Sequence, residues 1–339
     1  VKVYERWKII SLATDDLMGD LLGQLYVKEY FSPVAKKRMD EMVTNLRTVF
    51  ARRIDRLDWM SAETKAEAQK KLAALTTKIG YPSKWKAYEG VTINRNDFYG
   101  NVKALSQWRY NERMSRLGKP VDKTEWDVTP PTVNAYYSPL NNEIMFPAGI
   151  LQWPFFDPTA DDAVNYGAIG TVIGHEMTHG FDDSGRRLNY RGMLKNWWKK
   201  EDINSFKKKV QLLIDQYDSY TVLDNLHVKG QLTLDENLAD LGGMGIAYEA
   251  FKTLTPQCKS SKKIDGFTSD QRFFLAFAQL KRHKIRDEAM RININTDPHS
   301  PYEFRTNGPL SNFEPFYEAF GVKPGDKMYR PDSLRAKIW

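Results

Sequence analysis

The stretch VIGHEMTHGFDD, Val172 to Asp183, places two of the chain's five histidines four residues apart, with a glutamate directly after the first. On an α-helix, positions i and i+4 lie about 40° apart around the axis, so His175 and His179 project together and can share one metal ion. Glu176 stands about 100° further around, beside such an ion, where it can take a proton from an attacking water. Zinc favours imidazole nitrogen and carboxylate oxygen, and it brings the pKa of a bound water towards neutrality. The pattern therefore suits hydrolysis of a polarised carbonyl. A surface helix with two exposed histidines is the plainer alternative. Val172, Ile173 and Met177 argue against it, because they surround the motif with apolar groups and a buried imidazole pair needs partners.

Zinc needs a third protein ligand, and LDENLADLGG, Leu234 to Gly243, offers one. Glu236 and Asp240 again stand four apart on an expected helix. One carboxylate of such a pair can reach the metal while the other accepts a hydrogen bond from the far nitrogen of a ligating histidine. Alone, the pair would read as a solvated helix face. Leu234, Leu238, Ala239, Leu241 and the small Gly242-Gly243 change that reading, since they suit close packing on a second helix. One zinc per chain is expected.

Composition narrows the remaining classes. With 339 residues, 41% apolar and 13% aromatic, the chain can build substantial cores. A formal charge of +7 is modest for this length and speaks against nucleic acid as a partner. The most basic stretch, KNWWKKEDINSFKKK from Lys195, reads as a solvated amphipathic helix face. The single cysteine, Cys258, leaves no internal disulfide and no thiolate zinc site. No segment has the roughly 18 uninterrupted apolar residues of a membrane span. The chain starts at Val1 without methionine and enters amphipathic sequence at once, as expected of a processed chain or a fragment whose targeting signal is gone.

Up to about Pro120 the pattern is helical, with Met39, Met42, Val43, Leu46, Val49, Phe50, Ile54 and Leu57 at helical spacing. Ser61 is the expected N-cap of a helix through AETKAEAQKKLAALTTKI, stopped by Gly80 and Pro82. TPPTVNAYYSPLNNEIMFPAG then predicts two short strands around the turn residues Ser138 to Asn142. Helices are expected over Ala160 to Phe181, Lys199 to Tyr220, Leu234 to Leu254, Ser269 to Ile285 and Leu310 to Phe320. The expected fold class is mainly α with a small β-sheet, divided into a helical segment, 1–120, and a catalytic region, 121–339.

Several ordered stretches together resemble the neprilysin and endothelin-converting-enzyme family of zinc endopeptidases. They are VNAYYSPLNNEIMFPAGILQWPFF, GTVIGHEMTHGFDDSGR, GQLTLDENLADLGG, TDPHSPYEFRTNGPLSN and the terminal Trp339. The resemblance implies a thermolysin-like (gluzincin) catalytic domain acting on oligopeptides, with zinc on His175, His179 and Glu236 and with Glu176 as general base. It implies that Asp240 orients His175 and Asp182 orients His179. His299, which spacing alone reads as a loop histidine between Pro298 and Pro301, would stabilise the oxyanion. Arg305 would bind a substrate carbonyl, and Asn134 and Ala135 would pair with the substrate main chain. Family members favour a hydrophobic residue after the scissile bond, for which Ile150, Phe155, Phe156 and Val172 would form the pocket.

Two departures qualify the match. Relatives commonly carry a tryptophan where this chain has Lys281 in FAQLKRHKIR, so the pocket floor is expected to be more polar. Family members also have a long N-terminal helical region that closes over the site, and this chain is expected to hold only its end. A catalytically weak peptide-binding fragment or surface protein is therefore the competing expectation, and the missing N-terminal half is an expected partner. The low cysteine content resembles bacterial members, which implies an exported, periplasmic or cell-surface location.

Overall fold

The computed structural model describes residues 3–255 and 262–339; Cys258 lies outside the described residues. The first helices are α1 (Arg6–Tyr30), α2 (Pro33–Arg56) and α3 (Ala62–Ala73), followed by strand β1 (Thr76–Gly80) and α4 (Phe98–Met114). Strands β2 (Tyr136–Ser138) and β3 (Glu143–Pro147) come next. A helical run then comprises α5 (Asp162–Asn165), a π-helical turn at Tyr166–Gly170 and α6 (Thr171–His179). Beyond it lie α7 (Lys200–Asp218), the short β4 (Thr221–Leu223) and β5 (Leu226–His227), then α8 (Leu234–Leu254) and α9 (Ser269–Leu280). The last helices are α10 (Asp287–Thr296), α11 (Tyr302–Leu310) and α12 (Glu314–Phe320). The architecture is mainly α with small sheets.

Two compact units are each assembled from several stretches of chain. The smaller consists of 1–36, 78–134 and 146–152. In it Arg109 pairs with Asp16 and the Thr129 hydroxyl donates to Asp15, while Trp108 stacks on Tyr88. The larger consists of 37–77, 135–145 and 153–339 and contains all the metal-ligand candidates. Its core takes Met39, Leu46, Val49, Phe50 and Ile54 from α2, the face that helical spacing predicted. Phe206, Leu213 and Tyr217 of α7 and Phe273, Phe274 and Phe277 of α9 are equally buried. Each such side chain contributes about 1.5–3 kcal/mol on leaving water.

Several boundaries differ from expectation. The helix capped by Ser61 stops at Ala73, and TTKIG forms β1. Its β-branched Thr76, Thr77 and Ile79 favour an extended chain, and the Thr76 amide donates to the carbonyl of Asn142. The two strands expected around residues 138–142 are present and antiparallel, pairing Tyr136 with Met145 and Ser138 with Glu143. Strand order is β1-β3-β2, so β2 is an edge, directly after Asn134 and Ala135. Helix α9 ends at Leu280, five residues short of expectation, in a tight turn that pairs Lys281 with Ala278 and Arg282 with Gln279. Leu310 ends α11 and does not start the last helix, which begins at Glu314 with Pro315 in its first turn.

Candidate active site

The helical run carrying the paired histidines starts with Asp161, whose side chain caps the Val164 amide, and with Asp162, which pairs with Arg38 at 2.8 Å. At its π turn the Thr171 hydroxyl donates to Ala168 carbonyl oxygen at 2.7 Å. Such bulges are frequent at functional sites because they shift the phase of the next helical turns. Downstream, α6 packs on α8 with Ile173 and Met177 fully buried. The two helices cross at paired glycines. A Cβ added to Gly174 would stand 2.7 Å from the Gly243 carbonyl oxygen, and one on Gly243 would stand 2.4 Å from the His175 amide nitrogen. Only backbone against backbone permits this approach.

That crossing gathers the ligand candidates. His175 Nε2 and His179 Nε2 lie 3.0 Å apart, with their rings nearly perpendicular. Glu236 on α8 brings Oε2 to 3.2 Å from His175 Nε2 and Oε1 to 3.5 Å from His179 Nε2. An ion at about 2.0–2.1 Å from tetrahedral ligands separates them by about 3.3 Å. The observed edges bracket that value, so these three residues fit a zinc ion. The surrounding charges fit as well. Burial disfavours charge on both imidazoles, and His179 also disfavours charge on His175. For His179 the outcome is nevertheless a pKa up to about 10, because Asp182, Glu176 and Glu236 surround it. Burial alone would raise Glu236, yet the two histidines and Arg305 hold it down to about 2. The centre is built to hold positive charge.

Around the triangle, carboxylates fix the far ring nitrogens. His179 Nδ1 meets Asp182 Oδ2 at 2.7 Å, and Asp182 Oδ1 accepts from the Gly185 amide at 2.6 Å. Asp240 Oδ1 approaches His175 Nδ1 to 2.9 Å, but off the line of the ring N–H, so this buried nitrogen has no well-directed hydrogen bond. Arg305, buried on α11, donates through Nε to Asp240 Oδ2 at 2.6 Å and through Nη2 to Asp240 Oδ1 at 2.9 Å. Its Nη2 also reaches Glu236 Oε2 at 3.4 Å. Lys281, 11% exposed, adds Nζ at 3.0 Å from the same Asp240 Oδ1. Burial would raise the Asp240 carboxyl, but Arg305, Lys281 and His175 hold it well below the usual range.

Glu176 is 6% exposed on α6, directly after His175. His299 is brought to the triangle by the loop between α10 and α11, with Nε2 3.2 Å from Glu236 Oε2 and Nδ1 held by Asp297 at 2.8 Å. Its side chain is 46% exposed, the most open of the group. Phe156 is buried, and Phe155 and Val172 are half-buried, in the unit that holds the triangle, whereas Ile150 belongs to the other unit. The Lys281 contact with Asp240 and the Asp297 support of His299 escape sequence reading. So does Asp235, which accepts from the Asp183 amide and the Ser184 hydroxyl and ties the loop after α6 to the start of α8.

Lys71 of α3 supports the same loop from beneath. Its Nζ donates to the carbonyls of Gly185 and Leu188 at 2.8 and 2.7 Å, among the rings of Tyr137, Phe181 and Trp197. Burial pushes its ammonium down to about 7, partly countered by Asp182. Unfolded, the same lysine keeps its proton up to about 10.5, so between about 7 and 10.5 the folded chain holds fewer protons. Stability therefore rises with pH in that window, by at most about 1.4 kcal/mol per pH unit from this group. Urea unfolding at about pH 7 and 9 is expected to show this rise in the unaltered chain and a flatter response in Lys71→Met. Equal slopes would mean that Lys71 keeps its charge on folding.

Residues 134–335 match Peptidase family M13, and residues 1–82 match a second segment of the same description. An endothelin-converting enzyme homolog of Locusta migratoria is 40% identical over 331 residues, covering 95% of this chain and 45% of the relative. Human endothelin-converting enzyme 1 is 36% identical over 98% of this chain and 44% of its own length. The chain thus spans about half the length of the relatives it matches. Among solved structures, the zinc metalloprotease Zmp1 of Mycobacterium tuberculosis, in complex with an inhibitor, superposes with a TM-score of 0.92 at 43% identity. That likeness covers 100% of this chain and 52% of Zmp1. PepO from Lactobacillus rhamnosis gives 0.85 at 33% identity over 96% of this chain and 50% of its own. With the paired histidines on α6 and the glutamate on α8, in gluzincin order, the chain belongs to peptidase family M13.

Proposed function

We propose that this chain is the catalytic portion of a zinc-dependent endopeptidase that hydrolyses small peptides on the amino side of hydrophobic residues. The observation that carries the reading is the His175, His179 and Glu236 triangle, with Glu176 buried on the same helix as the two histidines. Zinc, when bound there, supplies Lewis acidity that polarises the scissile carbonyl and acidifies water. Glu176 takes the proton of the attacking water as it adds to the carbonyl carbon, then delivers it to the leaving amine. Asp182 keeps the Nδ1 proton of His179 turned outward and Asp240 faces Nδ1 of His175, so that the Nε2 lone pairs face the triangle. His299, steadied by Asp297, donates to the oxygen on which negative charge develops.

Substrate backbone pairs along Asn134 and Ala135 as a strand added at the β2 edge. Phe155, Phe156 and Val172 supply the apolar wall. Arg305 meets substrate from a guanidinium already anchored on Asp240 and Glu236. Exported or cell-surface placement in a bacterium belongs to the same proposal; among the described residues no helix is long and apolar enough to cross a membrane.

Cleavage of a quenched fluorescent peptide with Phe or Leu after the scissile bond tests the reading. Chelator-sensitive cleavage restored by zinc is the expected result. One bound zinc per chain without cleavage would favour the peptide-binding alternative, and co-expression with the N-terminal part found in the longer relatives would decide whether a missing half is responsible. In the active protein, His299→Ala is expected to lower kcat about 10²–10³-fold while zinc affinity changes far less. Parallel losses of both would make His299 structural.

A further inference from the structure

The two ligand histidines are supported unequally. Asp182, behind His179, also accepts from an uncharged donor, the Gly185 amide, and its bond to the ring is short and directed. Asp240, behind His175, is shared with two cations. Three donors converge on its Oδ1: His175 Nδ1 at 2.9 Å, Arg305 Nη2 at 2.9 Å and Lys281 Nζ at 3.0 Å. A carboxylate oxygen offers about two lone-pair directions, so one donor is left badly aligned. It is the imidazole, whose buried Nδ1 lacks a well-directed bond.

Arg305 has a second task, since it bridges Asp240 and Glu236. Lys281 touches only Asp240 of the carboxylates around the triangle. It reaches that position because α9 stops at Leu280 and the next residue turns its side chain inward to 11% exposure. We propose that Lys281 is a positioning residue that draws Asp240 away from His175 and thereby loosens the grip of the site on zinc. The proposal rests on the zinc reading above. A carboxylate that accepts less strongly from the imidazole N–H leaves Nε2 less basic and the ring less firmly held, the two properties that such a partner gives a metal ligand. Lys281 also brings a positive charge towards a cation.

The test is zinc affinity of the full chain, measured by competition with a chromophoric chelator. Lys281→Met removes donor and charge and is expected to tighten zinc about tenfold, the low end of the range for such partners. Lys281→Gln keeps a donor without charge and is expected to tighten it by a smaller factor. Lys281→Arg keeps both and should stay within about twofold of the unaltered chain. A folded Met variant with unchanged or weaker zinc affinity overturns the proposal; if that variant does not fold, the Gln variant decides on the same criterion. Unfolding midpoints in excess chelator give the second readout, because a merely structural lysine moves the midpoint and leaves the dissociation constant alone. Failure of the unaltered chain to bind zinc would instead overturn the metal reading itself and this proposal with it.

Discussion

Glu176→Gln is expected to bind one zinc per chain as tightly as the unaltered protein while kcat falls about 10²–10⁴-fold. The substitution keeps the volume of a side chain that is 6% exposed, so α6 should pack on α8 as before. What it removes is the ability to accept a proton. The group that could hold a metal consists of His175, His179 and Glu236, without Glu176, which is why metal content and turnover should separate. Metal analysis and cleavage of the quenched peptide measure the two quantities on one sample. Normal turnover would end the general-base assignment. Joint loss of zinc and turnover would make Glu176 part of the metal's support.

Asp240→Ala carries the second large expectation, and it falls on stability as well as on metal. The variant leaves Arg305 and Lys281 buried without the carboxylate that holds both. Breaking a buried pair from one side costs about 3–5 kcal/mol. Zinc affinity should fall about 10–100-fold as His175 loses its partner. Asp240→Asn separates the two effects, because it retains an acceptor for the imidazole but not the charge that the two cations need. Urea unfolding and chelator competition on both variants provide the check. Unchanged zinc affinity in Asp240→Ala would remove its role behind His175, whatever happens to stability.

The parts of this architecture that depend on local chemistry were legible in the sequence. Val172 to Asp183 and Leu234 to Gly243 show apolar residues and glycines arranged for one helix lying on another, and both helices are present. The strand pair was legible because Ser138 to Asn142 has turn chemistry between β-branched and aromatic residues. Strand β1 was hidden, because an alanine-rich helix runs into TTKIG and the partner carbonyl of Asn142 is 66 residues distant. Helices α10 and α11 were missed in a stretch punctuated by Pro298 and Pro301. Neither could the tertiary partner of Lys281 be read, since α9 ends at Leu280, five residues before the expected end, and Lys281 lies in the turn beyond it. Arg305 shows the same limit. Resemblance assigned it to substrate, and its bidentate hold on Asp240 appears only when α11 is set beside α8.

Where α6 crosses α8, no side chain stands between the two backbones, at Gly174 on one helix and Gly243 on the other. A gap filled by side chains can widen or narrow whenever a neighbouring rotamer changes. This one is a hard stop made of peptide groups. The span from the histidines to Glu236 is thus decoupled from what fills the rest of the core, so substitutions that accumulate elsewhere in the unit can alter its stability without retuning the metal geometry. Inheritance of the site then comes down to a few letters: the ligands, and two positions at which there is nothing but hydrogen.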